Sequence, residues 1–305
     1  MKKMILMIFI LCRFLSADST SFVALPFLQI PIGAESSALA GAGVAKGGVD
    51  SLFNNPAGLT EVDQFELSIH HLEFIQQVRY ENLALAFRPH PSFVLGAAFG
   101  LLHTADLRHT EEAVNPSGYI DLGSFSFYDA FLLSSCSVML SPGFSFGVNA
   151  RFITENIGDF SASTVSVDSG LRIVPSSWRF VSLGVSVSHL GLPLQLSTVK
   201  ESLPSQVQTG FLVDSDTLFQ NITFRWALDG RQDFSGGFSM MSGLETSFFS
   251  VGIIRVGYLL DLTGPSSSLF TFGAGILWLN FKVDYSGSLY SKLGLSHGIS
   301  LGMRF

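Results

Sequence analysis

Three groupings in this 305-residue sequence carry residue types that chemistry needs. His70, His71 and Glu73 offer two imidazoles and a carboxylate, a metal-donor set. In an extended strand, however, adjacent side chains point to opposite faces, so both histidines reach one ion only if a bulge turns one of them. Gly41 to Gly47 (Gly-Ala-Gly-Val-Ala-Lys-Gly) has the glycine content of a phosphate loop. Lys46 stands in place of the third glycine of a dinucleotide fingerprint, no Ser or Thr follows it, and no strand–helix context flanks it, so the stretch reads as close packing of small residues. No Ser–His pair suggests acyl transfer and no cofactor motif occurs. The expectation is a protein that is not an enzyme, without metal or cofactor. The third grouping is a scattered set of charges whose meaning depends on the elements that carry them.

Those elements follow from composition. Charged residues are 13% of the chain, about half the usual share of about 25%, and mean hydropathy is +0.42. Beyond the first fifteen residues no apolar run is long enough to span a bilayer as a helix, for which about 18 residues are needed. A hydrophobic content of 47% excludes a solvated, disordered chain. With 17 basic and 24 acidic residues, net charge −7, there is no electrostatic footprint for nucleic acid. An apolar chain rich in Gly (30) and Phe (29) without long apolar runs fits a transmembrane β-barrel.

The first residues read as an export signal: Met1-Lys2-Lys3, an apolar run from Met4 to Leu11, and Ser16-Ala17 before Asp18 as the cleavage site, giving a signal peptide over 1–17. Leu11 before Cys12 is too bulky for a lipoprotein signal, and Cys136 is then the lone cysteine of the mature chain, a small apolar strand residue. Residues 33 to 60 are rich in Ala and Gly with no period-two alternation. They suit a compact plug in a confined lumen, a hatch over 18–63, in which Asp50 caps a short helical turn leading to the Asn54-Asn55-Pro56 break.

From about Gln64 alternation takes over. Leu293, Leu295, Ile299, Leu301, Met303 and Phe305 share one parity, and Gly294, Ser296, Gly298, Ser300, Gly302 and Arg304 share the other. Phe144, Phe146, Val148, Ala150 and Phe152 alternate in the same way with Ser145, Gly147, Asn149 and Arg151. Such runs lie near 64–76, 78–88, 91–103, 126–140, 143–155, 163–174, 178–190, 205–214, 219–229, 235–247, 249–262, 267–277, 279–289 and 292–305. They predict an all-β, 14-stranded antiparallel transmembrane barrel over 64–305. Two breaks in parity, at His70-His71 and between Ile253 and Ile254, read as bulges. Polar excursions over 101–121 and 194–204 are the main loops. On the polar parity lie Arg151, Asp168, Arg172, Arg225, Asp229, Lys282, Asp284 and Arg304. Unpaired charge in a narrow lumen is costly, so these groups are expected to pair with one another or with hatch groups such as Asp50 and to hold the plug.

The stretch Asp50-Ser51-Leu52-Phe53-Asn54-Asn55-Pro56-Ala57-Gly58-Leu59 resembles the N-terminal hatch of the FadL superfamily of outer-membrane transporters, with its Asn-Pro-Ala motif at Asn55, Pro56 and Ala57. The barrel looks closer to the PorV/PorQ branch of that superfamily. The carrying motifs are Phe27-Leu28-Gln29-Ile30-Pro31-Ile32-Gly33-Ala34, Tyr80-Glu81-Asn82-Leu83-Ala84, Arg255-Val256-Gly257-Tyr258, and Gly273-Ala274-Gly275-Ile276 followed by Val283-Asp284-Tyr285. The resemblance implies a bacterial outer-membrane barrel whose lateral opening lies beside Asn55, Pro56, Ala57 and Gly58, through which small hydrophobic, fatty-acid-like compounds pass into the surrounding lipid. Its PorV side implies instead a partner that binds or shuttles secreted protein cargo in type IX secretion. A terminal Phe305 is the expected signal to the barrel assembly machinery.

Overall fold

The computed structural model describes residues 23–104, 107–112, 118–196, 199–219, 221–263, 268–290 and 293–305. The expected signal peptide and the first hatch residues, through 22, lie outside the described residues. The first strands are β1 (Phe65–Glu73), β2 (Arg79–His90), β3 (Phe93–His103), β4 (Leu107–Glu112), β5 (Tyr119–Phe125) and β6 (Phe127–Ser141). Next come β7 (Phe144–Ile157), β8 (Phe160–Ile173), β9 (Val181–Gly191), β10 (Leu194–Leu196), β11 (Val199–Glu201) and β12 (Gln206–Phe219). The chain ends with β13 (Ile222–Asp233), β14 (Phe238–Phe248), β15 (Gly252–Asp261), β16 (Ser268–Trp278), β17 (Phe281–Tyr290) and β18 (Gly294–Arg304).

Fourteen strands close a barrel in the order β1-β2-β3-β6-β7-β8-β9-β12-β13-β14-β15-β16-β17-β18 and back to β1. Each overlaps one of the fourteen expected segments. β1 and β18 pair antiparallel from Glu66↔Arg304 to Glu73↔His297, so every strand has two partners and no edge is left to lipid. Phe305 completes the seam: its N–H donates to the Phe65 carbonyl at 2.9 Å and its own carbonyl accepts from Phe65 at 3.2 Å. The polar excursions fold as two hairpins, β4–β5 and β10–β11, outside the barrel sheet. Both stand at the end of the barrel opposite Phe65 and Phe305; that end is termed upper, and the end with Phe65 and Phe305 lower.

Alternation sets the two faces. In β7, Ser145, Gly147, Asn149 and Arg151 are buried while Phe146, Val148 and Phe152 are exposed. Leu183, Val185, Ile299 and Leu301 are likewise exposed on β9 and β18. Apolar surface on this scale, wrapped around a closed barrel, is lipid-facing surface. No described helix is long and apolar enough to cross a membrane.

Neither expected bulge exists. β1 keeps register with β2 and β18 through His70 and His71, and β15 keeps register with β14 and β16 through Ile253 and Ile254. Leu72 points inward, where it packs on the apolar part of the hatch, and Val251 lies in the turn before β15. Parity broke because the inner face is not polar along its whole height. Register shifts occur instead near the turns joining β2 to β3, β6 to β7 and β12 to β13, and between β8 and β9 at Val167/Ser169. There His189 takes a left-handed conformation (φ 61°), and its N–H finds the Asp168 carboxylate at 2.8 Å instead of a ladder carbonyl.

Candidate functional site: the hatch, its wall contacts and the upper cavity

Residues 23–63 fill the lumen. Ala24 donates to the Ser202 carbonyl at 3.0 Å beside β11. A 3-10 turn (Pro26–Gln29) then sets Phe27 against Tyr80 and Phe131. Helix α1 (Ala34–Ala38) and the 3-10 turns Val49–Phe53 and Pro56–Glu61 follow lower down. Gly48, not Asp50, occupies the N-cap of Val49–Phe53. Asp50 turns to the wall, where it accepts from Ser68 Oγ at 2.6 Å and meets His70 Nε2 at 3.0 Å. Burial opposes its ionisation, yet His70, the Ser68 hydroxyl and Lys282 hold the carboxyl well below the usual carboxylate range.

The Asn-Pro-Ala turn is seated against β6, β7 and β8. Asn55 is fully buried; its Nδ2 donates to Val44 O at 2.7 Å and to Leu171 O at 3.0 Å, and its Oδ1 caps the next turn by accepting from Ala57 N–H at 3.1 Å. Ser137 Oγ donates to the Pro56 carbonyl. Two wall glycines make this seat possible: a Cβ on Gly170 would lie 1.9 Å from Asn55 Oδ1, and one on Gly147 would lie 2.4 Å from the Pro56 carbonyl carbon. Gly170→Ala should therefore push the hatch off the wall at a cost of about 1–3 kcal/mol, whereas Gly252→Ala, with nothing within 4 Å of its Cβ, should be neutral. The temperature at which the folded barrel loses its fast gel mobility measures both; equal shifts would refute the close seat.

The expected lumen charges divide into two sets. Asp229, Arg172 and Lys282 touch the hatch directly. Asp229 accepts from Gly43 N–H at 2.7 Å, Val44 N–H at 2.8 Å and Gln208 at 2.8 Å. Arg172 donates from Nε to Ala45 O at 2.7 Å and pairs with Glu61, while Lys282 pairs with Glu35 of α1. Arg151, Asp168, Arg225 and Asp284 bind other wall side chains. Arg151 meets Asp168 at 3.2 Å and lies over the Phe131 ring. Arg225 joins Asp214 to Glu245, and Asp284 joins Arg255 to Lys282. Arg304, at the lower rim, faces Glu66 at 3.5 Å.

Several groups in this lattice were not singled out from sequence. Arg255, only 1% exposed, meets Glu245 at 2.6 Å, Asp284 at 2.7 Å and Glu35 at 3.6 Å. With these contacts four carboxylates (Glu35, Asp214, Glu245, Asp284) face four cations (Lys46, Arg225, Arg255, Lys282) in one connected, neutral network. Burial, with the like charge of Lys282 next in weight, pushes the Lys46 ammonium well below its ordinary range. Glu66 accepts from Val49 N–H at 2.8 Å, Asn149 donates to Leu52 O at 2.8 Å, and Arg88 donates to the carbonyls of Thr60 and Val62. Their charge or amide was visible in the sequence, but which backbone group each would meet was not.

His70 and His71 do face opposite ways. His71, half-exposed on the outer wall, meets Glu81 at 2.8 Å. His70 is buried and its Nδ1 lies 2.7 Å from Ser300 Oγ. A Ser–His–Asp chain of hydrogen bonds, Ser300–His70–Asp50, thus exists that sequence reading did not anticipate. Ser300 Oγ also accepts the Ala34 N–H at 2.7 Å, so the serine is engaged with the hatch backbone in closed space and the chain acts as a tie. Among the described residues no group of three or more His, Cys, Asp or Glu is placed to hold a metal ion.

Above the hatch lies a cavity of about 580 Å³. Its floor is Pro26, Gln29, Ile30 and Pro31, and its walls include Leu72, Leu259, Leu269, Tyr290 and Leu293. Among the described residues one charged side chain, Arg231, reaches it, held by Ser239 Oγ at 3.3 Å. Apolar side chains with a few convergent polar groups are the lining of a small-molecule site.

No protein-family model matches the sequence, and no curated protein matches it. Solved structures do. The toluene transporter TodX of Pseudomonas putida superposes with a TM-score of 0.64 at 11% identity over 90% of this chain and 98% of that one. The toluene transporter TbuX of Ralstonia pickettii gives 0.62 at 13% identity over 90% and 98%. A Pseudomonas aeruginosa FadL homologue gives 0.59 at 10% identity with the same coverage. At these identities the likeness is one of fold: the chain shares the barrel fold of these solved structures.

Proposed function

We propose that this chain is a bacterial outer-membrane protein that admits small hydrophobic compounds through a plugged barrel, with the lower end facing the periplasm. The upper cavity carries the reading. Its volume falls in the range of about 300–1,000 Å³ usual for small-molecule sites, and it is floored by hatch residues, so a bound solute rests on the element that closes the pore. The fold shared with toluene transporters supports the same reading. In it, Asp229, Arg172, Lys282 and Asp50 anchor the hatch, with Arg151, Asp168, Arg225 and Asp284 bracing the wall behind them. The lateral opening implied beside Asn55–Gly58 would require β7 and β8 to part there. Phe305 is 56% exposed at the seam, and on this reading it is the residue that the assembly machinery would recognise. The type IX cargo reading rests on the barrel motifs alone.

Leu269→Trp should fill the cavity without touching the hatch anchors. Binding of the fluorescent probe N-phenyl-1-naphthylamine should weaken by about tenfold or more in this variant, since the lost volume is the ligand's own. Cells with a lipopolysaccharide outer membrane should take up labelled toluene faster when they carry the wild-type chain. Equal uptake with and without the chain would defeat the proposal.

A further inference from the structure

We propose that the lumen binds a small monovalent anion, chloride or another ion of its size, in a polar void directly beneath the upper cavity. The void has a volume of about 30 Å³ and shares Gln29, Ile30, Pro31 and Arg231 with the cavity above it. Tyr80 of β2, Arg151 of β7, Gln206 of β12 and Arg231 of β13 converge on it from the wall, and the first three are at most 9% exposed. Each brings a buried polar atom that finds no hydrogen-bond partner among the described residues: Tyr80 Oη, Arg151 Nε, Gln206 Oε1 and Arg231 Nε. Buried polar groups are hydrogen-bonded as a rule, so four such atoms around one small space mark a site for an occupant. The site does not depend on the upper cavity being a transport site.

Charge decides what the occupant is. Two guanidinium groups line the void, and among the described residues no carboxylate does. Arg151 is answered by Asp168 at 3.2 Å. Arg231 is answered far less well: its Nε lies 3.8 Å from Asp233, beyond hydrogen-bonding distance, and its bond to Ser239 Oγ is 3.3 Å long. A buried cation in a lumen of low dielectric attracts an anion strongly. The two Nε–H groups and the Tyr80 hydroxyl are donors, the groups that an anion needs. Gln206 presents an oxygen, but a half-turn of its amide places an N–H there instead. A volume of about 30 Å³ is room for roughly two water molecules, enough for a halide and too little for phosphate or sulfate. Because Gln29 and Asn54 of the hatch line the same void, the anion ties the hatch to four wall strands.

The test is the thermal transition followed by tryptophan fluorescence, with the protein in nonionic detergent and chloride exchanged for gluconate at constant ionic strength. Gluconate is too large for the void. The wild-type transition should rise with chloride and the rise should saturate, as binding to the folded state alone requires. Bromide should act in the same way, and crystals soaked in bromide should show an anomalous peak between Tyr80, Arg151 and Arg231. Arg231→Gln should need about tenfold more chloride to reach half the rise, the loss of one charge-assisted hydrogen bond. Tyr80→Phe guards against an arginine variant that fails to fold. In gluconate it should melt no lower than the wild type, because its hydroxyl then has no anion to meet, and in chloride it should gain less. A wild-type transition equal in the two salts, or no bromide peak at this place, means that water fills the void and overturns the site. A chloride response of wild-type size and midpoint in both variants means that the anion binds elsewhere and overturns it equally.

Discussion

Asp229→Ala is expected to loosen the hatch more than any other single change on β13. The side chain is 1% exposed and takes two hatch N–H groups, those of Gly43 and Val44, together with the Gln208 amide. Truncation leaves the Gly43 and Val44 N–H groups without an acceptor and the Gln208 amide with only its 3.3 Å contact to the Gly41 carbonyl. Each unsatisfied buried group costs about 1–3 kcal/mol, so a total near 3–5 kcal/mol is expected after local relaxation. Asp229→Asn keeps an acceptor oxygen and should lose roughly half as much. The loss should appear as a lower temperature for the gel-mobility transition, and as frequent open events in planar bilayers when the hatch moves. A quiet pore with wild-type thermal behaviour would show that residues 43–44 are held by shape alone.

Arg255→Met should have a comparable effect by a different cause. Arg255 is the hub between Glu245, Asp284 and Glu35; without it three buried carboxylates share the cations that remain. Breaking a buried ionic cluster from one side costs about 3–5 kcal/mol, because charge is left uncompensated. Arg225→Ala should cost much less. Arg225 and its partner Asp214 are 36% and 46% exposed, and pairs at such sites contribute about 0–1 kcal/mol. The hub is therefore Arg255, although both arginines sit on the inward face. Combining Arg255→Met with Glu245→Gln should recover part of the loss, since the double change removes charge of both signs. A double variant as damaged as the sum of the singles would mean that Arg255 acts through packing.

The comparison of these two arginines shows what the sequence could reveal. Alternation of Phe, Leu and Val with Ser and Gly located all fourteen barrel strands, because lipid outside and a confined lumen inside impose opposite demands on successive residues. The parity of Arg225, Asp229 and Lys282 was legible for the same reason. Leu72 misled because its inner neighbour is the apolar stretch of the hatch, so an inward residue looked outward and suggested a bulge. Asp50 misled because a local N-cap competed with donors on β1: Ser68 and His70 are 18 and 20 positions away in sequence, yet the fold brings them to 2.6 and 3.0 Å of its carboxylate.

Strand periodicity is a local property: it needs only a residue, its neighbours and the two media on either side, and so strands, inner face and the closed-barrel class follow from residue order. Partnership in the lumen is not local. Ser300 meets His70 across 230 positions, and Lys282 meets Glu35 across 247. Only closure of β18 on β1, with the hatch threaded inside, brings such groups within reach. That closure also decided where the solute-sized space lies, since the upper cavity is what residues 26–31 leave unfilled between walls contributed by strands from both ends of the chain.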